Sequence, residues 1–134
     1  MGINRDASDV AFSDAVRLKK NYICEDCGLV GGKGHGTPQM DCAHIFSRRH
    51  KATRWDTLNA LCLCRACHQR HGESPVEFTR WLEGYVGRGY LDILNEKKNT
   101  ILKTTKAYRK EVAAHYRKEI KLMESGPHDL VSFQ

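Results

Sequence analysis

The chain has 134 residues, a formal net charge of +6 and a mean hydropathy of −0.58. This length suits one compact domain, and no stretch approaches the roughly 18 apolar residues that a membrane span needs. The charged N-terminal segment also lacks the apolar core of a signal peptide, so we expect a cytoplasmic protein without a membrane partner.

The basic residues are concentrated in two segments. Residues 44–71 contain six lysine or arginine residues against one acidic residue, and residues 97–121 contain nine against two. The rest of the chain is acidic on balance. Two concentrated basic segments favour a polyanionic partner. For residues 97–121, however, the basic face of a solvated surface helix explains the pattern equally well.

The first predicted element is a helix over residues 6–20. Its apolar residues recur at helical spacing, and Asp6 or Ser8 is a suitable N-terminal cap. Residues 21–27 then break into a short strand and a turn. Residues 28–38 are predicted to be a loop, because five of them are glycine and cannot sustain a helix.

The centre of the chain reads as two strands followed by a short helix. Residues 40–46 alternate in polarity as a strand does, and residues 47–57 form a basic connecting loop. Residues 58–63 are a second apolar run, which we expect to pair antiparallel with the first. Residues 65–71 are polar and start a short helix.

The remaining residues are predicted to be helical. Ser74, Pro75 and Glu77 form a capping-box start for a helix with one apolar stripe. A second short helix is predicted over residues 90–98. The longest helix is predicted over residues 104–125, where a Gly-Pro pair ends it.

Four of the six cysteines form two C-x2-C pairs, Cys24 with Cys27 and Cys64 with Cys67. In a reducing compartment such pairs point to metal binding rather than to disulfides, and zinc takes four thiolates in a tetrahedron. We therefore predict one structural Zn²⁺ that joins the N-terminal segment to the short helix. Cys62 competes for the site by proximity, although a buried reduced cysteine is the commoner interpretation in its apolar run, and Cys42 has the same two interpretations.

Between and beside these pairs lie a histidine, an asparagine and a second histidine in chain order. His44 ends the first strand, Asn59 opens the second and His68 lies on the short helix, directly after Cys67. The Ala-His44-Ile segment and the Asn59-x4-Cys64-x2-Cys67-His68 pattern resemble the His-Asn-His (HNH) endonuclease family, in its phage-type branch with a four-cysteine zinc site. The resemblance covers about residues 24–72.

The resemblance implies a fold and a set of roles. It implies a ββα-metal core with a zinc knuckle over residues 21–72, flanked by helices over residues 1–20 and 74–125 within one α+β domain. His44 would be the general base that activates water, as a histidine near neutral pKa can. Asn59 would hold the His44 loop, and His68 would bind a catalytic Mg²⁺ or Mn²⁺.

The basic loop after His44 is the predicted DNA contact. Arg48 and Arg49 follow His44 closely enough to bind flanking phosphates, and Lys51 and Arg54 continue the same basic loop. The partner predicted from the resemblance is double-stranded DNA, with no small-molecule substrate. A phage-encoded protein of this kind would act in the cytoplasm of its host.

One position departs from the family pattern. An acidic residue or a histidine usually precedes the general base and binds the catalytic metal, but this chain has Ala43 there. Asp41 is a candidate replacement because alternation along a strand puts it on the face of Ala43. His71, one helical turn after His68, and His50 in the loop are further candidates.

Two functions of different classes follow from these residues. The first is a metal-dependent endonuclease that nicks or cleaves DNA. The second is an inactive zinc-ribbon module that binds DNA, in which Ala43 marks the lost metal ligand. A ribonuclease is a third, weaker interpretation. The retention of His44, Asn59 and His68 together favours the enzyme.

Overall fold

The computed structural model describes residues 4–133 and confirms an α+β fold. Five helices and a two-stranded antiparallel sheet make up the regular structure of these residues. In chain order the elements are α1 (Ala7–Lys19), β1 (Met40–His44), β2 (Ala60–Cys64), α2 (Arg65–Glu73), α3 (Pro75–Val86), α4 (Arg88–Lys98) and α5 (Lys106–Ser125).

Helix α1 is capped by Asp6, one of the two caps that the sequence offered, and this cap is part of a capping box. The Asp6 carboxylate accepts hydrogen bonds from the backbone N–H groups of Ser8 and Asp9, and the Asp9 carboxylate accepts one from Asp6 N–H at 3.0 Å. The apolar face of α1 then packs against α5, where Phe12 and Tyr116 are fully buried with their rings 5.1 Å apart.

Strands β1 and β2 pair antiparallel, and several of the predicted site residues lie on or beside this pair. His44 lies opposite Ala60 at one end, and Met40 lies opposite Cys64 at the other. Every residue of β2 is buried, so it forms the centre of a second apolar cluster. This cluster contains Met40, Ala43, Leu61, Leu63 and Leu82, among others.

Both strands are shorter than predicted. β1 ends at His44, although Ile45 N–H still donates to the Asn59 carbonyl at 2.9 Å. Residues 57–59 form a 3-10 turn, because the Asp56 carboxylate accepts from Leu58 N–H and holds the chain in a turn. Asn59 therefore precedes β2 instead of opening it.

The capping box predicted at Ser74 is wrong. One residue connects α2 to α3, and Ser74 N–H donates to the Arg70 carbonyl to close α2. With its backbone shared between two helices, Ser74 makes no side-chain cap, although Pro75 does start α3. Gly87, with a φ of 87°, then turns the chain directly from α3 into α4.

Helix α5 packs into the core through Val112, Ala113 and Tyr116, and the chain then folds back over it. Tyr116 O–H donates to the Trp55 carbonyl at 2.5 Å and accepts from Phe133 N–H at 2.9 Å. The buried Glu119 carboxylate accepts from Val131 N–H at 2.7 Å. None of the helices in the described part of the chain combines the length and apolarity that crossing a bilayer requires.

Candidate active site and metal centre

The four cysteines of the two C-x2-C pairs meet in one cluster. The Sγ atoms of Cys24, Cys27, Cys64 and Cys67 all lie within 4.8 Å of one another, and the Cys27 and Cys64 sulfurs are 3.8 Å apart. A tetrahedral zinc–thiolate site with bonds of about 2.3 Å separates its sulfurs by about 3.8 Å. The cluster is therefore at metal-binding distance.

Local backbone geometry creates this cluster. Cys24 and Cys27 lie in a turn that closes at Gly28, whose φ of 79° favours glycine, and Cys64 is the residue that precedes α2.

Burial acts to raise the pKa of Cys24. Backbone N–H groups of Cys27, Cys64 and Asp26 outweigh it and lower that pKa to about 7.

Cys42 and Cys62 lie outside the cluster. They face each other across the β1–β2 pair, and burial raises the pKa of Cys42 to about 12 and that of Cys62 to about 11. Neither sulfur belongs to the group of sulfur atoms that lie within 4.8 Å of one another. Cys62 therefore fits the alternative of a buried reduced cysteine, whereas Cys42 is a partly exposed reduced cysteine.

A polar cleft of about 540 Å³ lies beside the cysteine cluster, between α1, β1, the loop after His44 and α2. Three of the predicted catalytic and metal-binding residues, Asp41, His44 and His68, line this cleft together with Arg48. The cleft is open to solvent.

His44 is held as a neutral base. Its Nε2 lies 3.0 Å from the Arg54 carbonyl, and because a carbonyl only accepts, Nε2 carries the proton and Nδ1 keeps its lone pair. Burial, aided by the guanidinium of Arg48, lowers the pKa of His44 below its ordinary value of 6.5 and outweighs the opposite effect of the carbonyl.

Asn59 forms hydrogen bonds to both ends of the loop that follows His44. Its Oδ1 accepts from Phe46 N–H at 2.8 Å, and its Nδ2 donates to the carbonyls of Phe46 at 2.9 Å and Thr53 at 3.0 Å. The side chain is fully buried. An asparagine suits this place because one amide group supplies both the acceptor and the donors that the loop backbone requires.

His68 and Asp41 are in direct contact. His68 Nδ1 lies 2.9 Å from Asp41 Oδ2, and Arg65 Nε lies 3.3 Å from the same oxygen. The His68 side chain is 45% exposed, so its ring is open to the cleft. Helix α2 therefore brings a ring nitrogen, and strand β1 brings a carboxylate oxygen, to one place.

Ala43 occupies the core and not the cleft. It is 3% exposed and lies opposite Leu61, within the apolar cluster of the sheet. A charged side chain at this position would enter that cluster and lose its hydration. The structure thus offers Asp41, two residues earlier, as the carboxylate nearest to His68.

Two of the predicted site residues lie in buried contacts and do not line the cleft. His71 is 8% exposed at its side chain, contacts Asp26 at 2.6 Å and stacks on Trp81, so it belongs to the α2–α3 packing and not to the cleft. Arg54 is buried in an ion pair with Asp9 and presents no surface for DNA.

The other basic residues of the loop divide into two groups. Arg48 lines the cleft, with Nη1 3.7 Å from Asp9 Oδ2. Arg49 and Lys51 are exposed but are not among the side chains that line it. His50 packs its ring against Phe46, 6.4 Å between centroids, and is not among those side chains either.

Helix α1 contributes side chains that the sequence analysis missed. Asp9, Ser13 and Arg17 line the cleft and recur every four residues, which is the spacing of one helix face, and Arg5, which precedes α1, lines it too. Arg65 of α2 lines it as well. The regular polar spacing opposite the apolar face of α1 was the available signal, but nothing in the sequence indicated what that face meets.

Comparison of the chain with protein-family models, with curated proteins and with solved structures gave no match.

Proposed function

We propose that this protein is a metal-dependent endonuclease of the HNH type that hydrolyses DNA phosphodiester bonds. The observation that carries the proposal is His44, a half-buried, neutral imidazole whose Nε2 donates to a carbonyl, so that Nδ1 keeps its lone pair, in the cleft that Asp41 and His68 also line. A histidine in this protonation state is a general base at neutral pH.

Zn²⁺ is the proposed occupant of the cysteine cluster. Four thiolates with no other ligand type form a closed structural site, and such a site contributes folding energy rather than chemistry. Its ligands come from the turn before the glycine loop and from the β2–α2 junction. The ion would fix the start of α2, and with it the position of His68.

Mg²⁺ or Mn²⁺ is the proposed catalytic ion. Asp41 and His68 offer one oxygen and one nitrogen ligand in contact with each other, which suits a hard divalent ion that keeps several waters or phosphate oxygens. When bound, this ion stabilises negative charge on the phosphate and on the leaving oxygen.

The residues of the chain perform the proton and positioning steps. His44 Nδ1 takes a proton from the water whose oxygen attacks phosphorus. The P–O3′ bond breaks, and the leaving oxygen takes a proton from solvent, so the products carry a 5′-phosphate and a 3′-hydroxyl as the HNH resemblance implies. Asn59 keeps the His44 loop in place by its three backbone contacts.

Four arginines make the cleft suitable for a polyanion. Arg5, Arg17, Arg48 and Arg65 line it against two carboxylates, Asp9 and Asp41. Guanidinium groups bind phosphate oxygens in pairs of hydrogen bonds, so these side chains are the proposed contacts to the DNA backbone on both sides of the cut. Such contacts read no base sequence.

Ala43 favours a second function, a zinc-stapled DNA-binding module without catalysis. The usual ligand position lies in the core, so a catalytic ion rests on Asp41 and His68 alone. The two functions differ in their metal content. The enzyme holds one tightly bound zinc and one exchangeable ion, whereas the module holds zinc only.

Supercoiled plasmid tests the proposal. Purified protein is incubated with the plasmid in Mg²⁺, in Mn²⁺ or in EDTA, with Asp41→Asn as the matched variant. The enzyme nicks or linearises the plasmid with either ion, stops in EDTA and loses most activity with Asp41→Asn. Plasmid that stays supercoiled with both ions, while the same protein retards DNA on a gel, rejects the enzyme and supports the module.

A further inference from the structure

A buried carboxylate on α1 reaches the loop that holds His44. Asp9 is 4% exposed, lies outside both the hairpin and α2, and lines the cleft. Its charge is met by two guanidinium groups of that loop, those of Arg54 and Arg48. Nothing in the roles assigned to Asn59, Asp41 or His68 uses this residue.

Arg54 binds Asp9 through two hydrogen bonds. Its Nε donates to Oδ1 at 2.9 Å and its Nη2 donates to Oδ2 at 2.5 Å, so both ends of the guanidinium fork are engaged. Arg54 is 6% exposed. A buried bidentate pair keeps one geometry. If the two groups separated, each charge would stay out of contact with water and would also lack its partner.

The backbone of the same arginine binds the proposed base. The Arg54 carbonyl accepts from His44 Nε2 at 3.0 Å, and the preceding carbonyl, of Thr53, accepts from Asn59 Nδ2 at 3.0 Å. Arg54 is thus fixed through its side chain to α1 and through its main chain to His44. Movement of the side chain would shift the one acceptor that selects the tautomer of His44.

We propose that Asp9 is a positioning residue for His44 and acts through Arg54. The Asp9–Arg54 pair holds the Arg54 carbonyl in line with His44 Nε2, which keeps the proton on Nε2 and the lone pair on Nδ1. The inference rests on the proposed function, since positioning a base matters only where the base acts. It also gives α1 a role in the site that the hairpin and α2 do not supply.

The groups that face His44 are few. Asp9, Arg48 and Arg54 are the charged neighbours that act on its ring, and Phe12 packs against it at 5.8 Å between centroids. Asp9 also caps α1 through Asp6 N–H, so a variant at position 9 alone tests two roles at once. Variants at Arg54 leave that cap in place and separate the roles.

Two variants test the pair. Asp9→Asn with Arg54→Gln replaces the ion pair by two amides and leaves no buried unpaired charge, and Arg54→Lys keeps the charge but removes the fork. The matched control is Glu119→Gln, which neutralises another carboxylate that is 4% exposed and holds the C-terminal tail instead. Zinc content and thermal unfolding are measured for all four proteins.

The first readout is the tautomer of His44 in the free protein, from the ¹⁵N shifts of its ring nitrogens. Wild type and Glu119→Gln should show the Nε2–H form, and both pair variants should show a substantial Nδ1–H fraction. The second readout is single-turnover cleavage of a short duplex. We expect a fall of about 10- to 100-fold in rate in the pair variants with DNA affinity changed by less than about threefold.

The outcomes separate the inference from the proposed function. If both pair variants fold, bind zinc and keep the wild-type tautomer, the inference is overturned and Asp9 is only a helix cap and core ion pair. An equal loss of rate in Glu119→Gln also overturns it, because general destabilisation then explains the effect. If wild type cleaves no DNA but the tautomer still changes in the pair variants, the coupling stands and the nuclease proposal fails.

Discussion

At the scale of single residues, burial and hydrogen bonding set the chemistry of His44. Burial keeps its pKa below 6.5, so the ring is neutral at pH 7. A general base works in this neutral form, and cleavage should therefore rise with pH through a pKa below 6.5 and level off by about pH 7. The pH dependence of single-turnover cleavage with a fixed metal ion measures this. A pKa above 7 would contradict it.

The same pKa shift predicts a pH dependence of stability. Between the folded pKa of His44 and the unfolded value of 6.5, the unfolded chain binds more protons, so the free energy of unfolding should increase with pH in that window. Urea unfolding of wild type and His44→Gln at pH 5.5 and 7.5 checks this. The slope should be smaller in the variant, and an equal slope would show that other groups cause it.

Asn59 should matter more for stability than any exposed asparagine. Asn59→Ala leaves the Phe46 N–H and the carbonyls of Phe46 and Thr53 without partners in a buried place, at a cost of about 3 kcal/mol or more. Asn95→Ala, on the exposed face of α4, is the control and should change stability by less than about 0.5 kcal/mol. Urea unfolding with zinc present measures both. Equal losses in the free energy of unfolding in the two variants would contradict this role of Asn59.

At the scale of elements, the cysteine cluster joins the turn at residues 24–27 to the start of α2. Cys24→Ser should reduce the metal content from about one zinc per chain and loosen the β2–α2 junction, because the site supplies folding energy. Cys42→Ala is the control, since Cys42 lies outside the cluster. Metal analysis and amide exchange of α2 check both. Zinc loss in Cys42→Ala alone would reject the assignment.

The Tyr116 hydroxyl is one of the contacts between helix α5 and the C-terminal segment. Tyr116→Phe keeps the buried ring and removes the hydrogen bonds to the Trp55 carbonyl and from Phe133 N–H, together with the 3.5 Å contact to Ser132 Oγ. We expect a loss of about 1 to 2 kcal/mol and faster exchange of the Phe133 amide. Denaturant unfolding and hydrogen exchange measure the two effects. Unchanged exchange at Phe133 would contradict the contact.

Elements were more predictable from the sequence than their partners. The order strand, loop, strand, helix and the bounds of α5 follow from periodicity and caps, which are local properties. The ion pair between Asp9 and Arg54 joins residues 45 positions apart, and local patterns carry no signal for it. For this reason the sequence predicted Arg54 to be a DNA contact and assigned no role to the polar face of α1.

In the candidate site, too, the sequence predicted what local spacing determines and missed what tertiary packing determines. The two C-x2-C pairs indicated their own cluster, because the spacing itself fixes a turn with two thiols on one side. His71 shares a helix turn with His68, yet the packing of α3 takes His71 to Trp81 while His68 faces Asp41. Which of two neighbouring histidines enters a cleft depends on tertiary packing that spacing alone does not determine.

For the molecule as a whole, positive charge lies in two places, on the arginines of the cleft and on the lysines of α5. Exposed lysines of α5 such as Lys110, Lys118 and Lys121 do not line the cleft and would act by long-range attraction. Their replacement by Gln should slow DNA association at low salt and leave the bound-state cleavage rate unchanged. Arg65→Gln in the cleft should lower affinity at every salt concentration. Stopped-flow association across a salt series distinguishes them, and equal salt slopes would contradict this division.

His44 is the proposed acceptor of the proton from the attacking water. The most direct measurement is the single-turnover rate of cleavage of a short DNA duplex by wild type and His44→Ala, with Mn²⁺ in excess and with zinc content and DNA affinity shown to be equal. We expect the variant to bind the duplex normally and to cleave it at least about 100-fold more slowly. A variant that cleaves within a few-fold of wild type would rule out His44 as the general base and place the chemistry, if any, elsewhere in the protein.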